Sequence, residues 1–296
     1  ILLKPDYAKA YIDMGVAFKE LGKFDDAIEA YKKAILIKPD YAEAYENMGV
    51  ALKNQGEFDM AIETFKKALL IQPNNAQVYY NMGNTYQDHG KMDEAIEYYN
   101  KSISHKPDST EAYNNMGSAL KIQCKFEESI QAFKKAYLLE PDNIESLYNL
   151  GTTLQLTGKL EEAEANFRQA ILLKPDYAEA HHNLGFTLLN NGKLKEGLEL
   201  MELRWKNPEF LSTKERHFPQ PQWDGIESLH DKRIMIWCEQ GIGDTLNWSS
   251  CLHLVASKAK HCILECQEKL VPLLKRSFPN VEIKAENRSR DIERDD

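Results

Sequence analysis

The sequence of 296 residues has no apolar run that approaches the about 18–20 residues of a membrane-spanning helix. Its first residues lack the basic stretch and apolar core of a secretory signal, so we predict no signal there. Cysteines are few and widely scattered (Cys124, Cys238, Cys251, Cys262 and Cys266). Five such cysteines make no disulfide framework and no metal-ligand pattern, so we predict reduced thiols in the cytoplasm and no metal site.

Basic residues are outnumbered: Lys and Arg total 37, Asp and Glu total 46, and the formal net charge is −9. This acidity excludes the broad electrostatic footprint of a nucleic-acid-binding protein. The chain is 43% hydrophobic and 28% charged, which excludes disordered and collagen-like classes. Its length allows about two domains of about 100–200 residues each.

Two residue types recur every 34 residues. The prolines are Pro5, Pro39, Pro73, Pro107, Pro141 and Pro175, and the glycines are Gly15, Gly49, Gly83, Gly117, Gly151 and Gly185. Self-similarity at this period is typical of a stacked-repeat architecture.

One unit of the repeat predicts two antiparallel helices. Tyr45, Met48 and Leu52 form an apolar stripe with helical spacing, Gly56 interrupts it, and a second stripe ends before Pro73. A single hairpin of this kind cannot bury its apolar face alone, whereas stacked hairpins share a continuous core. The sequence therefore predicts a mainly α-helical solenoid.

These features resemble the tetratricopeptide repeat family, over residues 1–205 and with repeats starting at residues 8, 42, 76, 110, 144 and 178. The resemblance implies a right-handed superhelix of six repeats. Residues 1–7 resemble the end of a preceding repeat, so we expect further repeats upstream. Cys124 stands where other repeats have a turn glycine, and Gly197 replaces a small alanine in a sixth repeat that departs from the pattern.

The first helices of a curved stack are expected to line its concave face. One position of these helices is asparagine in five repeats: Asn47, Asn81, Asn115, Asn149 and Asn183. An amide donates and accepts, so this row predicts a groove that binds the backbone of an extended peptide, with Tyr80, Asn114, Tyr148 and His182 as flanking positions. The repeats of O-linked N-acetylglucosamine transferase resemble this chain in that row. The alternative is that asparagine serves local hydrogen bonds.

The pattern changes after the repeats. Residues 206–231 hold three prolines and are predicted to form an irregular connector. From residue 232 onward, apolar runs at 233–238, 261–266 and 281–286 alternate with helical patterns at 245–259 and 269–278. This order predicts a βαβαβ unit, the first half of a Rossmann-like domain, over residues 232–296.

The loop after the first predicted strand carries Gln240, Gly241, Gly243 and Asp244 at the opening of a helix. Leu246 replaces the third glycine of the dinucleotide fingerprint, so we predict no cofactor. Asp244 has two interpretations that stay open: an N-cap of the helix, or a general base that acts on an acceptor hydroxyl.

Residues 221–225 and 239–246 resemble bacterial proteins that join tetratricopeptide repeats to a glycosyltransferase of family 9, the heptosyltransferase group. The resemblance implies that Asp244 is the catalytic base and that Gln240, Gly241 and Gly243 form the acceptor loop. The second half, which would bind the nucleotide sugar, is expected only in a longer parent protein. The chain as given is therefore expected to be inactive.

The leading hypothesis is a repeat scaffold that binds a protein or peptide and is attached to the acceptor half of a glycosyltransferase. One alternative is a pure interaction scaffold in which the α/β segment is only a cap, and another is a chaperone-type adaptor. An open-ended array also allows self-association.

Overall fold

The computed structural model describes residues 7–202, 227–237, 246, 249 and 251–286. The chain divides into two compact units, residues 1–206 and 207–296, and each is described by itself. Twelve helices occupy the described part of the first unit. They are α1 (Ala8–Glu20), α2 (Phe24–Ile37), α3 (Ala42–Asn54), α4 (Phe58–Ile71), α5 (Ala76–Asp88), α6 (Met92–His105), α7 (Thr110–Ile122), α8 (Phe126–Leu139), α9 (Ile144–Leu156), α10 (Leu160–Leu173), α11 (Ala178–Asn190) and α12 (Leu194–Glu202).

The turn inside each hairpin depends on one residue with a positive φ angle. Five repeats place a glycine there, with φ between +72° and +82°: Gly22, Gly56, Gly90, Gly158 and Gly192. Cys124 holds the same position in the fourth repeat with φ +59°. The turn therefore keeps its shape, and a residue with a side chain adopts the left-handed conformation that favours glycine.

A second glycine, inside each first helix, lies against a large side chain of the second helix in the same repeat. A Cβ atom on Gly15 would stand 2.5 Å from the Tyr31 ring, and the following glycines face Phe65, Tyr99, Phe133 and Phe167 in the same way. These five aromatic side chains are fully buried. The sixth repeat places Met201 against Gly185 instead. The first five hairpins are thus closed by a glycine that admits an aromatic ring.

The stack is closer on the side of the first helices. Each second helix packs against the first helix of the next repeat, and first helices of neighbouring repeats also contact one another, more than neighbouring second helices do. The surface formed by α1, α3, α5, α7, α9 and α11, here called the inner face, is therefore the concave side. The predicted helical solenoid is confirmed.

The second unit contains a three-stranded parallel sheet. Its strands are β1 (Arg233–Trp237), β2 (His261–Cys266) and β3 (Glu282–Ala285), in the order β1-β2-β3. Two helices, α13 (Leu252–Ala256) and α14 (Val271–Ser277), follow β1 and β2 in the chain. The side chains of Cys262, Leu264 and Cys266 alternate into the buried core on one face of β2.

Among the helices in the described ranges, none combines the length and the apolar character required to cross a membrane.

Candidate functional site

The five asparagines predicted as a row all lie on first helices of the array, one each on α3, α5, α7, α9 and α11. Every one of them is half-buried. Because the first helices form the inner face, the row runs along the concave side of the stack. Asp13 holds the equivalent position in the first repeat and is exposed.

Three of these amides bond to the residue 35 positions earlier, on the first helix of the preceding repeat. Asn115 donates from Nδ2 to the Tyr80 hydroxyl at 2.9 Å, and Asn183 donates to the Tyr148 hydroxyl at 3.1 Å. Asn81 donates to Oε1 of Glu46 at 3.3 Å. Tyr80 and Tyr148, two of the predicted flanking positions, therefore lie beside the row. Their hydroxyls accept hydrogen bonds from the asparagines of the row itself.

Sequence reasoning missed this connection between repeats. The sequence did carry a signal for it. In the three repeats that accept these bonds, the residue directly before the asparagine of the row is Glu46, Tyr80 or Tyr148, and each has a side-chain oxygen that can accept a hydrogen bond. Asn115 also donates to Oδ1 of Asn84 at 2.8 Å, so both of its amide hydrogens are used, while its own Oδ1 stays available as an acceptor.

The two remaining amides of the row are different. Within the described ranges, the side chains of Asn47 and Asn149 have no hydrogen-bond partner, and both are half-buried. Each carries two donors and an acceptor that water or a bound molecule can satisfy. The row thus contains three amides that link repeats and two that are open.

One of the predicted flanking positions does not line the groove. Asn114 is only 3% exposed, because its side chain lies between α7 and α9, where Nδ2 donates to the Ser146 hydroxyl at 2.8 Å. His182 is half-buried and meets the Phe186 ring edge-to-face at 5.0 Å between centroids. Asn114 therefore belongs to the packing between repeats.

Burial changes the protonation equilibria along the inner face. Desolvation raises the pKa of Glu46, although a hydrogen bond from Asn75 acts in the opposite direction. Desolvation also raises the pKa of Tyr148, against the effect of the Asn183 hydrogen bond. Burial lowers the pKa of Lys121. The tyrosine hydroxyl that accepts from the row is therefore neutral in ordinary conditions.

The residues predicted for catalysis and acceptor binding, Asp244, Gln240, Gly241 and Gly243, lie outside the described residues. Within the described ranges, no three His, Cys, Asp or Glu side chains are grouped so that they could hold a metal ion.

Two family models match the helical unit. One, described as "TPR repeat", covers residues 15–56 and 155–192, and the other, described as "Tetratricopeptide repeat", covers residues 40–108 and 108–173. Together they account for the array from residue 15 to residue 192. The chain is a tetratricopeptide repeat protein. The family predicted from the 34-residue period is confirmed.

This tetratricopeptide repeat protein is 32% identical over 93 residues to protein FlbA of Caulobacter vibrioides, a match that spans 30% of the chain and 15% of FlbA. Among solved structures it resembles MamA, with 27% identity and a TM-score of 0.53, over 56% of this chain and 96% of MamA. It also resembles PilF of Pseudomonas aeruginosa, with 19% identity and a TM-score of 0.59, over 68% of this chain and 92% of PilF.

A further structural relative is YrrB, described as a tetratricopeptide repeat protein with an unusual peptide-binding site. The similarity has a TM-score of 0.50 at 23% identity and covers 60% of this chain and 91% of YrrB. At this level of identity PilF and YrrB show a shared fold.

Proposed function

We propose that the inner face binds an extended polypeptide, so that the protein acts as a scaffold for a protein or peptide partner. The observation that carries this proposal is the pair of open amides, Asn47 and Asn149, in a row whose other members are fixed by bonds between repeats. A side-chain amide can donate a hydrogen bond to the carbonyl oxygen of a peptide unit and accept one from its N–H, as the backbone of a neighbouring β-strand would.

The rest of the row supports the same function. The bonds from Asn115 to Tyr80 and from Asn183 to Tyr148 hold the neighbouring side chains in one geometry, so little conformational entropy is lost when a partner binds. YrrB shares the fold and is described as having a peptide-binding site, which supports the proposal of a peptide partner. We place this activity in the cytoplasm because the cysteines are predicted to be reduced thiols.

The test begins with a random peptide library selected against the immobilised chain. Binding of a selected peptide is then compared with the double variant Asn47→Ala/Asn149→Ala by fluorescence anisotropy. We expect about tenfold weaker binding, because two amides with no internal partner lose their bonds to the peptide. The melting temperature should not fall.

The matched control is Asn100→Ala, an exposed asparagine on α6, which is a second helix away from the inner face. It should leave binding unchanged. Failure to select any peptide, or equal binding by the double variant, would contradict the proposal. Selection of the chain's own segments would show that the inner face serves self-association.

The second unit supports a second candidate function. We propose that it is the acceptor half of a Rossmann-like glycosyltransferase of the family 9 type, with Asp244 as general base and a nucleotide sugar bound only by a longer parent protein. The parallel order β1-β2-β3, with α13 and α14 following β1 and β2, favours this candidate over a structural cap. The similarity of the asparagine row to O-linked N-acetylglucosamine transferase stays a prediction.

The transferase candidate is tested in the product of the complete reading frame. Sugar transfer from a set of radiolabelled nucleotide sugars should be detectable, and Asp244→Asn should abolish transfer while nucleotide-sugar binding persists. Unchanged turnover in that variant would leave Asp244 as a helix N-cap, and no transfer by the full protein would favour the pure scaffold.

A further inference from the structure

We infer that the helical array also binds the surface of an anionic lipid bilayer, through the C-terminal halves of five second helices. These halves, here called the outer strip, are the last six residues of α2, α4, α6, α8 and α10 together with the residue that follows each helix: 32–38, 66–72, 100–106, 134–140 and 168–174. The strip is separate from the inner face, which the first helices form, so this inference goes beyond the proposed function.

Positive charge is concentrated in the outer strip. Its five segments of seven residues hold 11 lysines or arginines, three in the first segment and two in each of the others, but a single acidic residue, Glu140. The acidic side chains of the same helices lie at the opposite end, in the first turns. A protein whose formal net charge is −9 therefore carries one strongly cationic surface.

Four leucines at one position of the repeat lie exposed in the same strip. Their exposed fractions are 82% for Leu36, 83% for Leu70, 69% for Leu138 and 73% for Leu172. Interaction with the helix dipole favours lysine at the end of a helix, but it gives no reason for an exposed leucine there. Removal of such side chains from water is favourable, so their repetition indicates an apolar environment supplied by a partner.

Part of the positive charge is available to that partner. Some cations of the strip are bound within the protein, as Lys33 is to Glu29 at 3.9 Å. Lys32, Lys67 and Lys135 are exposed, and no carboxylate lies within ion-pair distance of them in the part of the chain that the structure describes. Each precedes the exposed leucine of its helix by three or four residues, so the cation and the leucine share one side of the helix.

The segments of neighbouring repeats lie side by side. Lys134 on α8 forms an ion pair with Glu162 on α10 at 3.2 Å, and Arg168 on α10 forms one with Glu196 on α12 at 2.6 Å. Second helices of successive repeats are thus close enough for their side chains to meet. The exposed leucines and lysines therefore belong to one surface that continues from repeat to repeat.

The combination of exposed leucine and unpaired lysine favours a lipid bilayer among anionic partners. Anionic headgroups attract the lysines, and the leucines enter the apolar layer beneath the headgroups. A nucleic acid would leave the leucines in water, and a second copy of the strip would bring like charges together. An acidic protein would need fixed pockets at the spacing of the leucines, whereas lipids rearrange around separated side chains.

The experiment is flotation of the full chain with large unilamellar vesicles. At about 0.05 M salt we expect the chain to float with phosphatidylcholine vesicles that contain about 30% phosphatidylserine, and to bind pure phosphatidylcholine at least about tenfold more weakly. Binding should weaken at about 0.5 M salt, because salt screens the headgroup charge. Absence of binding to the phosphatidylserine vesicles would overturn the inference.

A charge variant tests the lysines. Lys32→Gln/Lys67→Gln/Lys135→Gln should weaken binding by up to about a hundredfold, because each lysine near an anionic surface contributes about fivefold in affinity. The matched control, Lys9→Gln/Lys23→Gln/Lys195→Gln, removes the same charge from exposed positions outside the strip and should bind much more tightly than the first variant. Equal loss in the two variants would assign the effect to net charge and overturn the inference.

An apolar variant tests the leucines. Leu36→Gln/Leu70→Gln should weaken binding about tenfold, because two side chains no longer enter the apolar layer. Its matched control is Leu21→Gln/Leu156→Gln, which changes two exposed leucines at the ends of first helices and should leave binding unchanged. Vesicle binding that persists unchanged in Leu36→Gln/Leu70→Gln would indicate attraction to any polyanion and overturn the inference.

A different occupant of the strip would be recognised in the same set of proteins. A dimer in sedimentation velocity that Leu36→Gln/Leu70→Gln dissociates, without vesicle binding by the wild type, would assign the strip to a second copy and overturn the inference. Peptide binding by the inner face is measured separately, on Asn47→Ala/Asn149→Ala, so the failure of either proposal leaves the other standing.

Discussion

Gly49 on α3 and Phe65 on α4 are in direct contact: a Cβ atom on Gly49 would stand 2.6 Å from Cε1 of the Phe65 ring. Phe65 is fully buried, so the ring has no room to withdraw. The absence of a side chain at residue 49 is therefore what allows the two helices of this repeat to close on an aromatic core.

The first prediction concerns this contact. Gly49→Ala is expected to lower the free energy of unfolding by about 1–3 kcal/mol, because overpacking exceeds the gain in helix propensity. Urea denaturation measures the change, and Asn54→Ala at an exposed position of α3 is the control. The double variant Gly49→Ala/Phe65→Leu should lose less free energy of unfolding than the two single variants lose together. A stabilised Gly49→Ala protein would show that the ring moves freely.

The second prediction concerns the turn of the fourth repeat. Cys124 adopts φ +59°, a conformation that is unfavourable for residues with a Cβ atom. Cys124→Gly should therefore raise the free energy of unfolding by about 0.5–1 kcal/mol, even though glycine loses more entropy on folding. Gly158→Ala, at the equivalent turn of the fifth repeat, should lower it by about 1 kcal/mol. A destabilised Cys124→Gly protein would mean that the thiol makes a compensating contact.

The third prediction separates the two kinds of asparagine in the row. Asn115→Ala should lower the free energy of unfolding by about 1–2 kcal/mol, because it removes the hydrogen bonds to Tyr80 and Asn84. Asn149→Ala should leave it unchanged or slightly higher, because alanine is the better helix former and no internal bond is lost. Thermal denaturation of both variants checks this contrast. Equal destabilisation of the two variants would indicate that every amide of the row stabilises the fold.

The fourth prediction concerns pH and Glu164, which stands where the four preceding repeats have isoleucine. Burial acts to raise the pKa of Glu164, but hydrogen bonds from Lys193 and Arg168 outweigh it, so the pKa lies below its ordinary value. A carboxyl whose pKa is lower in the folded state stabilises the protein above the pKa of the unfolded chain, about 4.3. That contribution is lost as the pH falls through the lower, folded value.

Melting temperatures of the wild-type protein and Glu164→Gln test this sign. The wild type should melt higher at pH 7, and the difference should shrink below about pH 4.3. Glu162→Gln, whose carboxylate makes an exposed ion pair with Lys134, is the control and should show a smaller effect at every pH. A difference that grows in acid would contradict the ion-pair explanation.

The helices of the array could be predicted closely, because proline and glycine at a fixed period mark where each one starts and stops. All six first helices begin at the predicted residues, from Ala8 to Ala178. In the second unit, β2 has the predicted bounds, whereas β3 is shorter than predicted by two residues. The predicted end of β1, residue 238, lies outside the described residues. Strand ends depend on pairing with neighbours, which local pattern does not contain.

The row of asparagines could be predicted as a row, but not its division into open and bonded amides. That division depends on which side chain of the preceding repeat reaches each amide, such as Tyr80 for Asn115. The burial of Asn114 was missed for the same reason, since its partner Ser146 lies on the next first helix. Periodicity identifies equivalent positions, whereas the contacts between repeats depend on residues that are not equivalent.

The strongest packing in the array joins helices of the same or the adjacent repeat. No long loop of chain has to close before these contacts form. Duplication or deletion of a 34-residue segment would consequently lengthen or shorten the inner face by one unit and create junctions of a kind already present. Evolution can therefore adjust the length of the inner face without redesigning the core of the array.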